Sequence, residues 1–148
     1  MNTKMLATVA IVLWVASAGF VGFKFMTGTT VETTDGREAI VLSAGERDFV
    51  LNEMRGMLAG VQEIIAAVNA NDMAALQETA LRVGTAEVEG VPVETMMKLP
   101  MEFKKLGRAT HVGFDEVAQA AEFGADAALE KLEENLSRCV ACHEVFLL

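Results

Sequence analysis

The chain has no tyrosine, only two prolines, two histidines and two cysteines among its 148 residues. Proline interrupts helices and tyrosine is enriched in strands, so their scarcity beside abundant Ala, Leu, Val, Met and Glu predicts a helical protein. The length is that of one domain with a single core.

Basic residues are also scarce. Twelve Lys and Arg stand against 21 Asp and Glu, a net charge of −9. With Lys4 and Lys24 of the N-terminal segment set aside, ten basic residues face 21 acidic ones, a net charge of −11. Such an acidic domain argues against nucleic acid as a partner.

Both cysteines stand in one motif close to the C-terminus, Cys139-Val140-Ala141-Cys142-His143. This spacing is that of c-type haem attachment. Two thiols so close together can add across the two vinyl groups of one porphyrin, and the adjacent imidazole then binds the iron as proximal ligand. The motif predicts one covalent haem c, bound by Cys139 and Cys142, with His143 on the iron.

Two other chemistries use cysteines at this spacing. A structural zinc site takes four Cys or His ligands, and outside the motif the chain offers only His111. A thiol–disulfide motif normally lies near a βαβ pattern, and the sequence shows none. Haem attachment is therefore the prediction.

The N-terminal segment from Met5 to Phe23 runs for 19 positions without a charge. As a helix it would span ~28 Å, about the thickness of the bilayer core. Residues 16–18 form an Ala-Ser-Ala pattern that signal peptidase can cut, but the apolar run continues beyond it, which favours an uncleaved anchor over 1–25. We expect the domain at the periplasmic face of the cytoplasmic membrane, where bacteria attach c-type haem, or soluble in the periplasm after cleavage near Ala18.

Residues 26–42 are Thr-rich and polar, and they predict a flexible tether. Residues 43–148 carry four helical patterns, which start with the Ser43–Glu46 capping box and near Asp72, Pro100 and Asp126. The first helix ends near Asn69, residues 90–99 form an irregular connection, and Gly124 ends the third helix. We predict an all-α, up-down-up-down four-helix bundle preceded by a transmembrane helix.

The last helical pattern places the haem motif on an apolar stripe. Its members are Leu129, Leu132, Leu136, Cys139, Val140 and His143. Cys139 and His143 are one turn apart, so they share a face of the helix. We expect the haem to lie against this face, towards the interior of the bundle.

A four-helix bundle with its haem motif on the final helix resembles the class II c-type cytochromes, which include cytochrome c′ and its low-spin relatives. The resemblance covers about Ala44 to Leu148. In class I cytochromes the motif lies near the N-terminus, whereas here only five residues follow His143. Any sixth ligand must therefore come from earlier in the chain.

The resemblance implies two alternatives for the sixth ligand. In low-spin relatives it is a Met on the first helix, often followed by Lys or Arg, a pattern that Met54-Arg55 resembles. An alignment anchored on Arg47 as a propionate partner instead puts Leu51 at that position and leaves the iron five-coordinate. Further candidates are Met57 on the same stripe, His111, and more weakly Met96, Met97 and Met101.

Several charged residues have both a functional and a plain surface interpretation. Arg47 and Arg55 could each pair with a haem propionate, or be solvated. Lys98, Lys104, Lys105 and Arg108 form a local basic cluster that could steer a redox partner or be the wet face of a helix. The resemblance also implies a homodimer through the first helices of the bundle.

Two functions follow from the two axial states. With His143 and Met54 on the iron, no substrate site remains, and we expect a monohaem electron carrier between redox partner proteins, not an enzyme. With His143 alone, a pocket lined by Leu51 and Met54 would bind NO or CO, as the cytochrome c′ resemblance implies.

Overall fold

The computed structural model describes residues 2–88 and 90–148. It is mostly helical, with 78% of the residues in helices. The described residues form six α-helices: α1 (Thr3–Thr27), α2 (Ala44–Asn69), α3 (Met73–Arg82), α4 (Val93–Lys98), α5 (Met101–Ala120) and α6 (Ala125–Val145). Three short strands complete the fold: β1 (Thr30–Glu32), β2 (Glu38–Ile40) and β3 (Phe146–Leu147).

None of the residues of helix α1 is buried, and the helix contacts α4 and α5. Its 25 residues span about 37 Å. By length and composition α1 can cross a membrane, as a membrane anchor or as a signal sequence.

The segment 26–42, expected to be a flexible tether, instead contains ordered strands. Strand β1 pairs antiparallel with β2, with Val31 opposite Ala39. Strand β2 also pairs in parallel with β3, with Glu38 opposite Phe146. Sequence reasoning missed these strands because each is only two or three residues long and the β2–β3 pair joins distant parts of the chain.

The predicted helix boundaries agree with the observed ones. In the Ser43–Glu46 capping box the Ser43 backbone N–H donates to Glu46 Oε2 at 2.7 Å, and the Glu46 N–H donates to Ser43 Oγ. Asp72 Oδ1 accepts from the Ala75 N–H at 3.0 Å and opens α3. Gly124, with φ 106°, separates α5 and its short 3₁₀ extension from α6.

The connection predicted to be irregular over 90–99 contains α4. Pro92 precedes the helix, and its carbonyl accepts from the Met96 N–H at 2.9 Å. Proline suits a helix start because the first N–H groups have no partner inside the helix. The six-residue helix is too short for its periodicity to be recognised in sequence.

The longer helices pack in chain order, α2 on α3, α3 on α5 and α5 on α6. Their buried apolar side chains form the main core: Ile64, Ala67, Leu76, Ala80, Val83, Phe114, Val117, Ala118, Ala121, Ala128 and Leu132. Glycine residues lie where neighbouring elements approach each other most closely. A Cβ on Gly60 of α2 would lie 2.8 Å from the Val83 side chain, and one on Gly113 of α5 would overlap Asn135 of α6.

A second apolar cluster lies where α6 ends. This motif-end cluster consists of the buried Ile40, Val50, Leu99, Phe103 and Phe146. Partly buried side chains pack against it: Leu42, Phe49, Met54, Met96, Leu106, Cys142 and Leu148. The rings of Phe103 and Phe146 meet edge to face, with centroids 5.5 Å apart. The cluster joins α2, the loop before α5, α5 and both strands β2 and β3.

Candidate functional site

The predicted motif occupies the last turns of α6, and the rotation of this helix differs from the expected one. The buried face consists of Ala128, Leu132 and Asn135. Of the predicted stripe only Leu132 is buried, whereas Val140 is 58% exposed and His143 also lies at the surface. The cause is the close approach of α5 and α6 at Gly113, where the Asn135 amide donates to the Thr110 carbonyl at 3.0 Å.

The two cysteines are half-buried free thiols. Burial raises the pKa of Cys139, against the lowering effect of the neighbouring Arg138 charge. Burial, followed by the proximity of Cys139, raises the pKa of Cys142.

An open depression of ≈ 340 Å³ lies over the motif, lined by Cys139, Val140, His143 and Glu144. The exposed Leu136 and Val140 add apolar surface on the same helix. One thiol, one imidazole and apolar side chains thus face a common space that is open to solvent. Cys142 does not line this depression and packs against the motif-end cluster instead.

Three of the methionine candidates pack against one of the two apolar clusters, whereas Met97 and Met101 belong to neither. Met54 and Met96 pack against the motif-end cluster, to which Cys142 also packs. Met57 packs against the main core instead. Met96 was a weak candidate because residues 90–99 were expected to be a loop. Instead it lies on α4, which packs its side chain against the motif-end cluster. Leu51 is half-buried.

His111 is a buried residue in the middle of α5. Its ring is 9% exposed, and Nδ1 lies 3.0 Å from the Val83 carbonyl and 3.1 Å from that of Gly84. Two carbonyl partners require the proton on Nδ1, so the ring donates to the C-terminal end of α3. The hydrogen-bonded role weighed in the sequence is the one that the structure shows.

The predicted propionate partners are exposed. Arg47 lies at the surface, and Arg55 donates to Asn52 Oδ1 at 2.9 Å within α2. Sequence reasoning overlooked Arg138, the residue before Cys139. Arg138 donates to Asn135 Oδ1 at 2.9 Å and lies 3.7 Å from Glu116. These two contacts hold the Arg138 guanidinium beside the motif.

The residues of the basic cluster are engaged separately. Lys98 pairs with Glu46 at 2.6 Å, Lys104 donates to the Phe25 carbonyl, and Lys105 lies 3.6 Å from Glu102. Three of the four are therefore partnered within the protein, which weakens the interpretation as a docking patch for an acidic protein.

Within residues 2–88 and 90–148 no three His, Cys, Asp or Glu side chains are grouped to hold a metal ion. Comparison with protein families, with curated proteins and with solved structures finds no match to this chain.

Proposed function

We propose that this protein is a monohaem c-type cytochrome that carries single electrons between redox partners at the periplasmic face of the cytoplasmic membrane. The observation that carries the proposal is the pairing of Cys139 and Cys142 with His143 on an accessible helix end.

Each motif residue has one role in this proposal. Cys139 and Cys142 hold the group through their sulfur atoms, and the His143 imidazole binds the iron. Haem supplies reversible one-electron chemistry between ferric and ferrous iron. We assign α2, α3, α5 and α6 to the four-helix bundle that the resemblance to the class II cytochromes implies, supported by the packing of α2 on α3, α3 on α5 and α5 on α6.

Met54 is the proposed sixth ligand, because it packs against the same cluster as Cys142 while Met57 belongs to the main core. Met96 shares this position and becomes the second candidate. A thioether ligand and an apolar surround both raise the reduction potential of a haem. With both axial positions filled, the protein carries electrons and binds no substrate.

The first experiment measures covalent attachment. The full chain is produced in a bacterial host with c-type cytochrome maturation, and its mass and absorption spectrum are recorded. We expect the added mass of one haem and a Soret band, both lost in Cys139→Ser/Cys142→Ser. His111→Gln is the matched control and should retain both. Haem-free wild-type protein would refute the proposal.

The second experiment tests the sixth ligand. We expect a low-spin spectrum that does not respond to CO. Met54→Ala should become high-spin and CO-responsive, whereas Met57→Ala, one turn away on α2, should stay low-spin. An unchanged Met54→Ala spectrum with a changed Met96→Ala spectrum would move the ligand to α4. A wild-type spectrum that shifts with CO would instead assign the NO- or CO-binding function.

Retention of α1 is also part of the proposal. The mass of the protein recovered from membranes should include residues 1–25. A mature chain that starts at Gly19 would show signal-peptide cleavage and a soluble periplasmic protein.

A further inference from the structure

Helix α1 enters the domain through a closely fitted junction. The Thr29 N–H donates to the Lys98 carbonyl and the Val41 N–H donates to the Thr29 carbonyl, each at 2.8 Å. Gly28 adopts φ 65°, and a Cβ there would lie 2.5 Å from both Lys98 O and Pro100 N. Only glycine fits this turn without displacing backbone. No flexible linker therefore separates α1 from the rest of the domain.

The last turn of α1 is also fastened to α5. Lys104 Nζ donates to the Phe25 carbonyl at 2.6 Å and lies 3.6 Å from the centre of the Phe25 ring. Partial burial lowers the pKa of Lys104. Lys24 Nζ donates to the Gly28 carbonyl at 3.2 Å. These contacts fix the direction in which α1 leaves the domain.

The same junction borders the motif-bearing end of the protein. Leu99, next to Lys98, is buried in the motif-end cluster with Phe103 and Phe146. The cluster also receives Cys142, and β3 pairs with β2 within a few residues of the junction. The other end of α6 lies about 31 Å away, since α6 has 21 residues.

We propose that the Cys139–His143 end of the domain faces the phospholipid headgroup layer of the membrane that α1 crosses, held there by the Gly28–Leu99 junction. The part that concerns electrons rests on the proposed function. A haem on Cys139 and Cys142 would then exchange electrons with a partner embedded in the same membrane. A soluble partner would meet the far end of the domain first.

Charge agrees with this orientation. The domain after α1 carries a net charge of −11 and is repelled by anionic lipid. Lys24 and Lys104 lie at the junction, on α1 and the first turn of α5, whereas Lys105 pairs with Glu102. The junction is thus the part of this acidic protein that suits the headgroup layer.

Photo-crosslinking to lipid tests the orientation without using haem. Benzoylphenylalanine is placed at Leu147 or at Phe123 in the full chain, in nanodiscs of phosphatidylethanolamine and phosphatidylglycerol with a tagged lipid. Phe123 is the matched control, because it precedes α6 and is 83% exposed against 38% for Leu147. We expect at least about fivefold more lipid adduct from position 147. Equal or reversed yields would overturn the proposal.

A linker insertion tests the junction. Fifteen Gly and Ser residues between Phe23 and Lys24 leave the Phe25–Lys104 and Thr29–Lys98 contacts intact and add a flexible span of about 21 Å. We expect the adduct ratio between positions 147 and 123 to fall to near one. A ratio that the linker leaves unchanged would overturn the role of the junction.

Electron exchange is measured separately in the same nanodiscs. The protein is reduced beforehand, and a ferrocenium-labelled phospholipid accepts one electron from each ferrous haem, giving ferrocene and ferric haem. The linker should slow this oxidation about tenfold and leave oxidation by aqueous ferricyanide unchanged. Equal slowing of both oxidants, or of neither, would overturn the membrane-partner assignment.

The two proposals fail in different ways. A protein without haem that still gives the high adduct ratio would refute the cytochrome function and retain the orientation. A haem protein with equal adducts at both positions would retain the cytochrome function and refute the orientation. Cleavage of α1 from the mature chain would overturn the orientation and the membrane anchoring, and it would leave the haem assignment standing.

Discussion

The main core and the motif-end cluster differ in size, composition and closure. The main core contains eleven buried residues, all but one of them aliphatic, from four helices. The motif-end cluster has five buried residues, two of them aromatic, with Met54, Met96 and Cys142 at its margin. The first is a finished helical core. The second is small and rich in sulfur.

The difference indicates that the two regions contribute differently to stability. Burial of aliphatic side chains supplies most of the folding free energy, and it does so in the main core without help from a bound group. The motif-end cluster buries less and leaves polarisable sulfur groups near the motif. We therefore expect the main core to hold the fold, and, under the proposed function, the motif-end cluster to gain stability when haem is attached.

The largest expected effect compares a phenylalanine from each region. Phe114→Ala removes a fully buried ring from the main core and should cost about 3–5 kcal/mol of the free energy of unfolding. Phe103→Ala in the motif-end cluster should cost less than half as much in haem-free protein, and more once haem is attached. Urea unfolding followed by circular dichroism measures both. Equal costs in the haem-free protein would contradict the comparison.

The close approach of α5 and α6 lies between the two regions. In Gly113→Ala the new Cβ would overlap Asn135 Oδ1 and the Arg138 guanidinium, so we expect a loss of about 1–3 kcal/mol. Gly107→Ala in the same helix meets nothing within 4 Å and should gain about 0.5–1 kcal/mol. The same unfolding assay measures the pair. Equal effects would show that α5 and α6 do not approach closely at Gly113.

A third prediction concerns the hydrogen bonds of His111, which is buried in α5 outside the motif-end cluster. His111→Leu leaves the Val83 and Gly84 carbonyls without their side-chain donor and should cost about 1–3 kcal/mol. His111→Gln retains an N–H donor and should recover part of that loss. Haem content should be unchanged in both variants. A haem spectrum altered by His111→Gln would contradict the purely structural role.

The smallest effect concerns the Lys98–Glu46 pair at the motif end. The Lys98 ammonium and then the Ser43 groups lower the pKa of Glu46 from 4.5 to about 2. A depressed folded pKa contributes stability above the unfolded value, and the contribution is lost as pH falls from about 4.5 to 2. Glu46→Gln should therefore lower Tm slightly at pH 6 and not at pH 2.

The control for this pH dependence is Glu102→Gln. Glu102 lies 3.6 Å from Lys105, and both side chains are about two-thirds exposed. Its Tm difference from wild type should be negligible throughout, since exposed pairs contribute little. A difference for Glu46→Gln that persists at pH 2 would assign its effect to the helix cap and not to the ion pair.

The sequence predicted much of the helical part and little of the site's surroundings. Capping residues Ser43 and Asp72 and the glycine at 124 are local signals, and the helices begin and end beside them. The segment 26–42 was expected to be a tether, and the two strands that it contains depend on pairing with each other and with β3. Such non-local pairing leaves almost no trace in a three-residue stretch.

The amino-acid sequence by itself determined the helical class, the apolar N-terminal helix and the cysteine-histidine motif, because each depends on residues that are neighbours along the chain. The tertiary structure decided which face of α6 is buried, and it directed Met54 and Met57, three residues apart, to different clusters. It also brought the end of α1 to the motif-bearing end of the domain. These choices follow from packing between distant helices, which periodicity along one helix does not encode.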